Sequence, residues 1–416
     1  MIVEILATGD EITTGAVVDS NSAFIATLLE ESGYPVARHT AVADSREALA
    51  SLLAEMAERA DLVLVTGGLG PTVDDITAEA AALAAGVPLA FDPEAMITVE
   101  NFFKRRGLPY NPQNNKQAML PEGAESIDNP RGTAPGFHMA ARGCRLIFMP
   151  GVPHEMKEMM REKVLPLVER LNGGERKTNL LRTIGTFGLP ESVVNAKVAG
   201  VTDAFPEIRL GLRAKFPEIQ VKLYACGDDG EALSETLERA TRWVLDAVGD
   251  HAFSTEGQSL EAAVGDELFR RGKTLAVAES CTGGLIGHML TDVPGSSDYF
   301  LFSGITYANG AKIGVLGVNP DTIDTHGAVH EETAREMAEG ARRVAGSDYA
   351  ISTSGIAGPG GGTDEKPVGT VCIGIATPEG ASAGRYHFPF GDRALNKRVF
   401  AKKALDLLRR ALNEGH

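Results

Sequence analysis

A chain of 416 residues exceeds what one hydrophobic core ordinarily holds, so two or three domains are expected. Its formal charge of -16, from 40 basic and 56 acidic side chains, weighs against general nucleic-acid or membrane-surface binding; neither partner is expected. A local anion site remains possible, because a few backbone N–H groups and one Lys can outweigh the global field. The four cysteines, at 144, 226, 281 and 372, lie far apart and form no paired motif. That spacing suggests neither a disulfide framework nor a structural zinc site, and it suits a reducing compartment. Residue 1 opens directly on a strand pattern, and no apolar run reaches the roughly 18 residues of a membrane span. A cytoplasmic location is the expectation.

In chain order, residues 1–8 read as a buried strand that turns at Gly9-Asp10-Glu11. Asp19-Ser20-Asn21 offers caps for a helix through Glu31, and residues 36–42 form a second strand. Asp44 and Glu47 are placed for a capping box on the next helix. Residues 61–66 are nearly all apolar, as a parallel strand covered on both faces should be. They run into Gly67-Gly68-Leu69-Gly70-Pro71-Thr72, with Asp74 and Asp75 just beyond, and then a helix over 76–85. This βα rhythm predicts an open, mostly parallel sheet whose ligands bind beyond the strands' carboxyl ends. The glycines and the acids, Asp10 among them, fall there. Two readings fit them: carboxylates holding a divalent cation that bridges phosphates, or carboxylates that cap helices.

A further strand is expected over 145–149, with a helix to about 171 and a boundary over 172–177. Residues 178–250 change rhythm: strand, helix, a strand pair over 208–225, and a long helix over 231–249. This is a small α+β module with no concentration of catalytic side chains.

The last unit holds the stretch with most chemistry. Residues 274–279 are an apolar strand that delivers Ser280 to a turn, Cys281-Thr282-Gly283-Gly284. Such a strand end holds a hydroxyl rigidly, while the following helix aims N–H groups at nearby negative charge. The turn's N–H groups are the expected oxyanion donors. A Ser needs a base, and no Gly-x-Ser-x-Gly or His/Asp pairing is evident. Lys312 is the alternative, in the first turn of a helix over 309–316 that Asn309 would cap. Burial would lower its proton affinity, as a base requires, and Tyr307 could donate a hydrogen bond. Equally, Lys312 could be a solvated surface lysine.

A strand over 349–353 leads into a Gly-rich loop from Ser354 to Pro367. There Thr353, Ser354 and backbone N–H groups could hold a phosphate or carboxamide; the alternative is a plain surface loop. A closing helix over 392–412 is expected to lean Lys397, Arg398, Lys402 and Lys403 to solvent.

Taken together, these motifs resemble the competence/damage-inducible protein CinA family. Gly9-Asp10-Glu11, Asp19-Ser20-Asn21, Gly67 to Asp75 and Pro150-Gly151-Val152-Pro153 match its molybdopterin-binding-like domain. Ala278 to Gly284, Tyr307 with Lys312, Ser354 to Pro359, Lys366 to Thr370 and Gly391-Asp392-Arg393 match its amidase domain. The central module matches a KH-type module by position. The resemblance implies an α/β chain of three domains: a molybdopterin-binding-like parallel-sheet domain over 1–172, a small KH-type module over 173–252, and an amidase domain over 253–416.

The resemblance also implies two activities. One is a nicotinamide-nucleotide amidase converting nicotinamide mononucleotide to nicotinate mononucleotide and ammonia, with Ser280 as nucleophile, Lys312 as base, Tyr307 beside them and no cofactor. Thr282, Gly283, Gly284, Thr353, Ser354, Gly355, Ala357, Gly358 and Arg393 would bind its substrate. The other is an ADP-ribose pyrophosphatase releasing AMP and ribose 5-phosphate. Gly67, Gly68, Gly70, Thr72 and Asn21 would bind that substrate, and Asp10, Asp74 and Asp75 would hold a divalent cation (Co2+, Mg2+ or Mn2+). A homodimer is implied. The competing expectation is a nucleotide- or pterin-binding regulator in which one or neither site turns over.

Overall fold

The computed structural model describes residues 1–172 and 178–414, in two compact units. The boundary expected over 172–177 falls, apart from Asn172, outside the described residues. The first unit comprises Met1–Asn179 with Cys226–Gly230, and the second comprises Leu180–Ala225 with Glu231–His416.

Strands of the first unit are β1 (Val3–Thr8), β2 (Val36–Val42), β3 (Leu62–Thr66), β4 (Leu89–Phe91), β5 (Met119–Pro121), β6 (Glu125–Ile127), β7 (Gly136–Ala141) and β8 (Cys144–Met149). Its main sheet has the order β2-β1-β3-β8-β7-β6, and β2, β1, β3 and β8 run parallel. β1 and β3 are buried along their whole length, which is why they read as unbroken apolar runs. Helices cover both faces, giving two apolar layers, one around Leu6, Val63 and Phe148 and one around Ile5, Leu64 and Ile147. The chain passes from β1 to β2 on one side and then to β3 on the other. The carboxyl ends of β1 and β3 therefore flank the point where the strand order reverses, where a crevice opens.

The second unit contains two sheets. β9 (Thr178–Phe187), β10 (Ile208–Lys215), β11 (Glu218–Gly227) and β12 (Ala252–Ser254) form one, in the order β10-β11-β9-β12. The long helix Gly230–Val248 closes its core through Leu237, Val244 and Val248. β13 (Leu275–Glu279), β14 (Phe300–Ile305), β15 (Tyr349–Gly355), β16 (Thr370–Thr377) and β17 (Gly380–His387) form the other, in the order β14-β13-β15-β16-β17. β14 and β15 flank β13 in parallel, so the ends of β13 and β15 repeat the strand-order reversal of the first unit.

Three local expectations change. The helix Arg46–Arg59 is capped by Ser45, and the Asp44 carboxylate accepts from Thr8 Oγ1 and the Asp10 N–H instead. Asn309 is the first residue inside the helix Asn309–Leu316; Ala308 precedes it and makes no side-chain cap. Lys402 does not lean to solvent. It is buried between Glu218 of the small sheet and Glu261 of the helix Leu260–Arg270, joining both parts of this unit through one ion-pair cluster. Removing a water-stripped Lys from one buried and one half-buried carboxylate would leave uncompensated charge, so the cluster ties the two sheets' elements together.

Candidate active site

Ser280 stands immediately past β13. Its N–H donates to the Thr353 carbonyl (2.9 Å), extending the β13–β15 pairing by one residue, and its own carbonyl accepts from the Gly283 N–H (3.2 Å). Gly283 and Gly284 both have left-handed φ values, +63° and +91°, so the chain reverses there with little strain before entering the helix Leu285–Thr291. The Ser280 side chain is thus presented from a strand end fixed on both sides.

Glu279, the residue before it, is fully buried. Its carboxylate accepts from the N–H groups of Gly284 (3.0 Å), Ile286 (3.1 Å) and Gly287 (2.9 Å). These are the donors a helix leaves unsatisfied at its start, and one internal carboxylate takes three of them. This revises the expectation for the turn. The helix end is filled by the protein's own acid, and the Gly284 N–H is not free for an oxyanion. The N–H groups of Cys281 and Thr282 donate to no protein acceptor among the described residues, and they are the turn's available donors. A Glu just before a candidate nucleophile and six residues before a helix start was the signal in the sequence.

Lys312 lies in the first turn of its helix, as spacing predicts, and is 1% exposed. Nζ sits 3.2 Å from Ser280 Oγ, 2.9 Å from the Thr306 carbonyl and 3.0 Å from the Tyr307 carbonyl. A solvated surface lysine is therefore not what the fold makes of it. Loss of hydration pushes its pKa below the usual lysine range. Burial pushes that thiol up to about 12, so Cys281 stays neutral. The three contacts suit both protonation states of the amine. A neutral amine gives its two hydrogens to the carbonyls and turns its lone pair to Ser280; an ammonium donates to all three oxygens.

Tyr307 enters through its carbonyl. Its ring is 63% exposed, and no hydrogen bond of its hydroxyl is found among the described residues, so the expected side-chain donor is not placed against Ser280 or Lys312. The buried hydroxyls of Thr282 and Thr353 bond each other at 2.7 Å, linking the turn to β15. Ser354 and Gly355 belong to β15 rather than to a loop. The Ser354 hydroxyl donates to the Ala328 carbonyl, which takes it out of phosphate binding. Ala357 and Gly358 begin the Gly-rich loop. Their carbonyls are held by Asn396 Nδ2 (3.0 Å) and by Arg393 Nη1 (2.7 Å), so Arg393 secures the loop.

In the first unit, the crevice past β1, β3 and β8 encloses about 560 Å³. Gly67, Gly68, Gly70 and Asn21 line it, as expected. Gly67 must be glycine: φ is +107°, and a Cβ would meet the Thr8 carbonyl. Asn21 donates to the Gly151 carbonyl (2.7 Å), while its buried Oδ1 has no partner among the described residues. Thr72 is not among the lining residues. It is tied to the carboxylates of Asp74 and Asp75, the latter accepting from its N–H at 2.8 Å. Asp74 and Asp75 do line the crevice, but Asp10 does not; its carboxylate accepts from the Asp44 N–H (3.1 Å). Glu11, which sequence places with Asp10 at the end of the first strand, lines it; Asp19, Asp44 and Glu155 were missed and also line it, and among the described residues no Lys or Arg does. Oxygen donors of this kind suit a hard cation held by one or two carboxylates with substrate phosphates. Among the described residues, however, no three His, Cys, Asp or Glu side chains converge on one point.

Three family models match the chain in sequence: "Probable molybdopterin binding domain" over residues 4–170, "Damage-inducible protein CinA KH domain" over 181–254, and "CinA C-terminal domain" over 257–412. The chain belongs to the CinA family. A "CinA-like protein" of Desulfosudis oleivorans is 52% identical over 412 residues, covering 99% of this chain and 100% of that protein. Another, of Geobacter metallireducens, is 46% identical and covers 98% of each. Among solved structures, the competence/damage inducible protein CihA of Agrobacterium tumefaciens is 37% identical, covers 37% of this chain and 93% of that one, and has a TM-score of 0.36. The three-domain α/β architecture is that of the family. Among the described residues, no helix is long and apolar enough to cross a membrane.

Proposed function

We propose that the CinA C-terminal domain of this chain is an amidase that converts nicotinamide mononucleotide to nicotinate mononucleotide and ammonia. The observation that carries this reading is the buried Lys312 amine 3.2 Å from Ser280 Oγ. In this reading neutral Lys312 takes the hydroxyl proton as Ser280 Oγ attacks the carboxamide carbon. The developing oxyanion is met by the N–H groups of Cys281 and Thr282. Lys312, now charged and still holding three acceptors, returns the proton to the departing ammonia. Water then hydrolyses the acyl-enzyme, with Lys312 again as base. Tyr307 contributes its carbonyl to orienting the amine. Ser280→Ala should release no ammonia while keeping the native circular dichroism; ammonia release at the wild-type rate would overturn the assignment.

For the N-terminal domain we propose hydrolysis of ADP-ribose to AMP and ribose 5-phosphate with a divalent cation. The supporting observation is the charge of the crevice. A pyrophosphate facing this many carboxylates, with Lys116 at the edge already held by the Thr72 carbonyl (2.8 Å) and Glu79 (3.6 Å), would be repelled unless a cation lay between them. Asp74 and Asp75 are the residues that would hold such a cation, and it would supply charge neutralisation at the phosphates. Asp10, turned to Asp44, would act from behind by fixing the turn after β1. Gly67, Gly68 and Gly70 let the backbone approach the pyrophosphate, and Asn21 Oδ1 is free to accept from a ligand hydroxyl. The test is AMP release from ADP-ribose with and without Mg2+, Mn2+ or Co2+; hydrolysis that ignores the cation would count against it. Domain limits at 172 and 252, a homodimer and a cytoplasmic location belong to the same proposal.

A further inference from the structure

The amidase reading leaves one question about its substrate: what holds the 5'-phosphate? The groups the sequence offered each already hold a contact within the protein. The start of the helix Leu285–Thr291 is filled by Glu279. The Ser354 hydroxyl is given to Ala328, and Arg393 gives one guanidinium N–H, from Nη1, to Gly358. Lys366, within the Gly-rich loop, donates to the His326 carbonyl (3.0 Å). Lys312 is committed to Ser280 and two carbonyls.

One cation beside the nucleophile turn is not engaged. Lys397 lies on the helix Arg393–Glu414, half-buried, with no hydrogen bond or ion pair among the described residues. Its Nζ faces the Cα of Gly283: a Cβ built there would lie 3.6 Å from it, and apart from the turn's own neighbouring residues no other described group comes within 4 Å of that point. Its backbone is firmly based. The preceding residue, Asn396, is fully buried and donates to the carbonyls of Ala357 (3.0 Å) and Phe390 (2.8 Å). A fixed base, a flexible four-carbon stem and a compact ammonium suit the capture of a phosphate as a point charge. The absence of a side chain at Gly283 leaves the ammonium a clear approach to the turn that carries Ser280.

We infer that Lys397 is the phosphate-recognising residue of this site, and that it makes the site selective for a pyridine mononucleotide over the corresponding nucleoside. This rests on the amidase reading for the substrate's identity. It does not rest on turnover, because recognition is measurable without it.

The experiment uses the full chain carrying Ser280→Ala, so that substrate binds without reacting. Binding of nicotinamide mononucleotide and of nicotinamide riboside is measured by calorimetry, with Lys397 intact, as Lys397→Met and as Lys397→Arg. Removing one charge-assisted contact should weaken mononucleotide binding about 10- to 30-fold, while riboside binding moves less than about 2-fold. Lys397→Arg should recover most of the mononucleotide affinity. Equal weakening of both ligands, or of neither, overturns the inference, as does failure of the Lys397-intact chain to prefer the mononucleotide. The amidase reading fails separately, if the wild-type chain binds the mononucleotide but releases no ammonia from it.

Discussion

Both candidate sites open at the same topological place, the carboxyl ends of two parallel strands where strand order reverses, yet they are built in opposite ways. Beyond β13 and β15 the chain supplies its own chemistry. A hydroxyl, an amine stripped of water and backbone donors stand within hydrogen-bond reach, and the helix charge is balanced by Glu279. Beyond β1 and β3 it supplies space and negative charge: a crevice of about 560 Å³ with carboxylates and no cation among its lining residues. The same sheet geometry thus yields one site with a hydroxyl and an amine already paired and another lined by carboxylates, for which the proposed reading brings a charge from outside.

The contrast can be broken by removing what each site is said to depend on. Lys312→Met should have the largest effect, about 10⁴-fold on ammonia release, because base and acid are lost together. AMP release should be untouched by it. A chelator should do the reverse, lowering AMP release at least about 100-fold while leaving ammonia release within about 2-fold. If both activities fall together in either assay, the division of labour is wrong.

Smaller effects sharpen the account of the Ser280 turn. Glu279→Gln sets an amide NH2 against N–H donors that now meet only oxygens. It should cost about 10- to 100-fold in kcat with little change in KM, as misplacement of a reacting group does. The acid limb of kcat/KM follows from the lowered pKa of Lys312. Its neutral form is the base, so activity should fall about tenfold per pH unit below that pKa and level off above it, with the midpoint below 10.5. The linked stability has the same sign. Between the folded pKa and the unfolded 10.5, the unfolded chain binds more protons, so folding is favoured as pH rises through that window. Urea titrations across it would show the slope. Thr353→Val, which breaks the Thr282–Thr353 bond, should cost only about 1 kcal/mol of stability in the same titrations.

Much of this was legible in the sequence where a local pattern decides structure. The βα rhythm, the delivery of Ser280 by β13 and the place of Lys312 four residues into its helix all follow from periodicity and turn residues. Details set by distant partners were not legible. Asp44 read as a cap because Glu47 follows at the right spacing, but Thr8 and Asp10 claim its carboxylate across the sheet edge. Tyr307 read as a hydroxyl donor, because composition cannot say that its carbonyl faces inward and its ring outward. Lys402 and Lys397 share a helix and a solvent-leaning pattern. Tertiary packing sends one into a cluster with Glu218 and Glu261 and leaves the other beside Gly283. Carboxylates of the crevice were undercounted for the same reason, since Asp19 and Glu155 reach it from opposite ends of the domain sequence.

The central claim is that Ser280, activated by Lys312, forms a covalent bond to the substrate. Acid-quenching the enzyme during turnover of nicotinamide mononucleotide, followed by peptide mass spectrometry, tests it most directly. The peptide spanning Ser280 should carry the nicotinoyl mononucleotide acyl group, and Lys312→Met should abolish that adduct. Ammonia release with no adduct at any time in the wild type, or an adduct on a residue other than Ser280, would contradict the account.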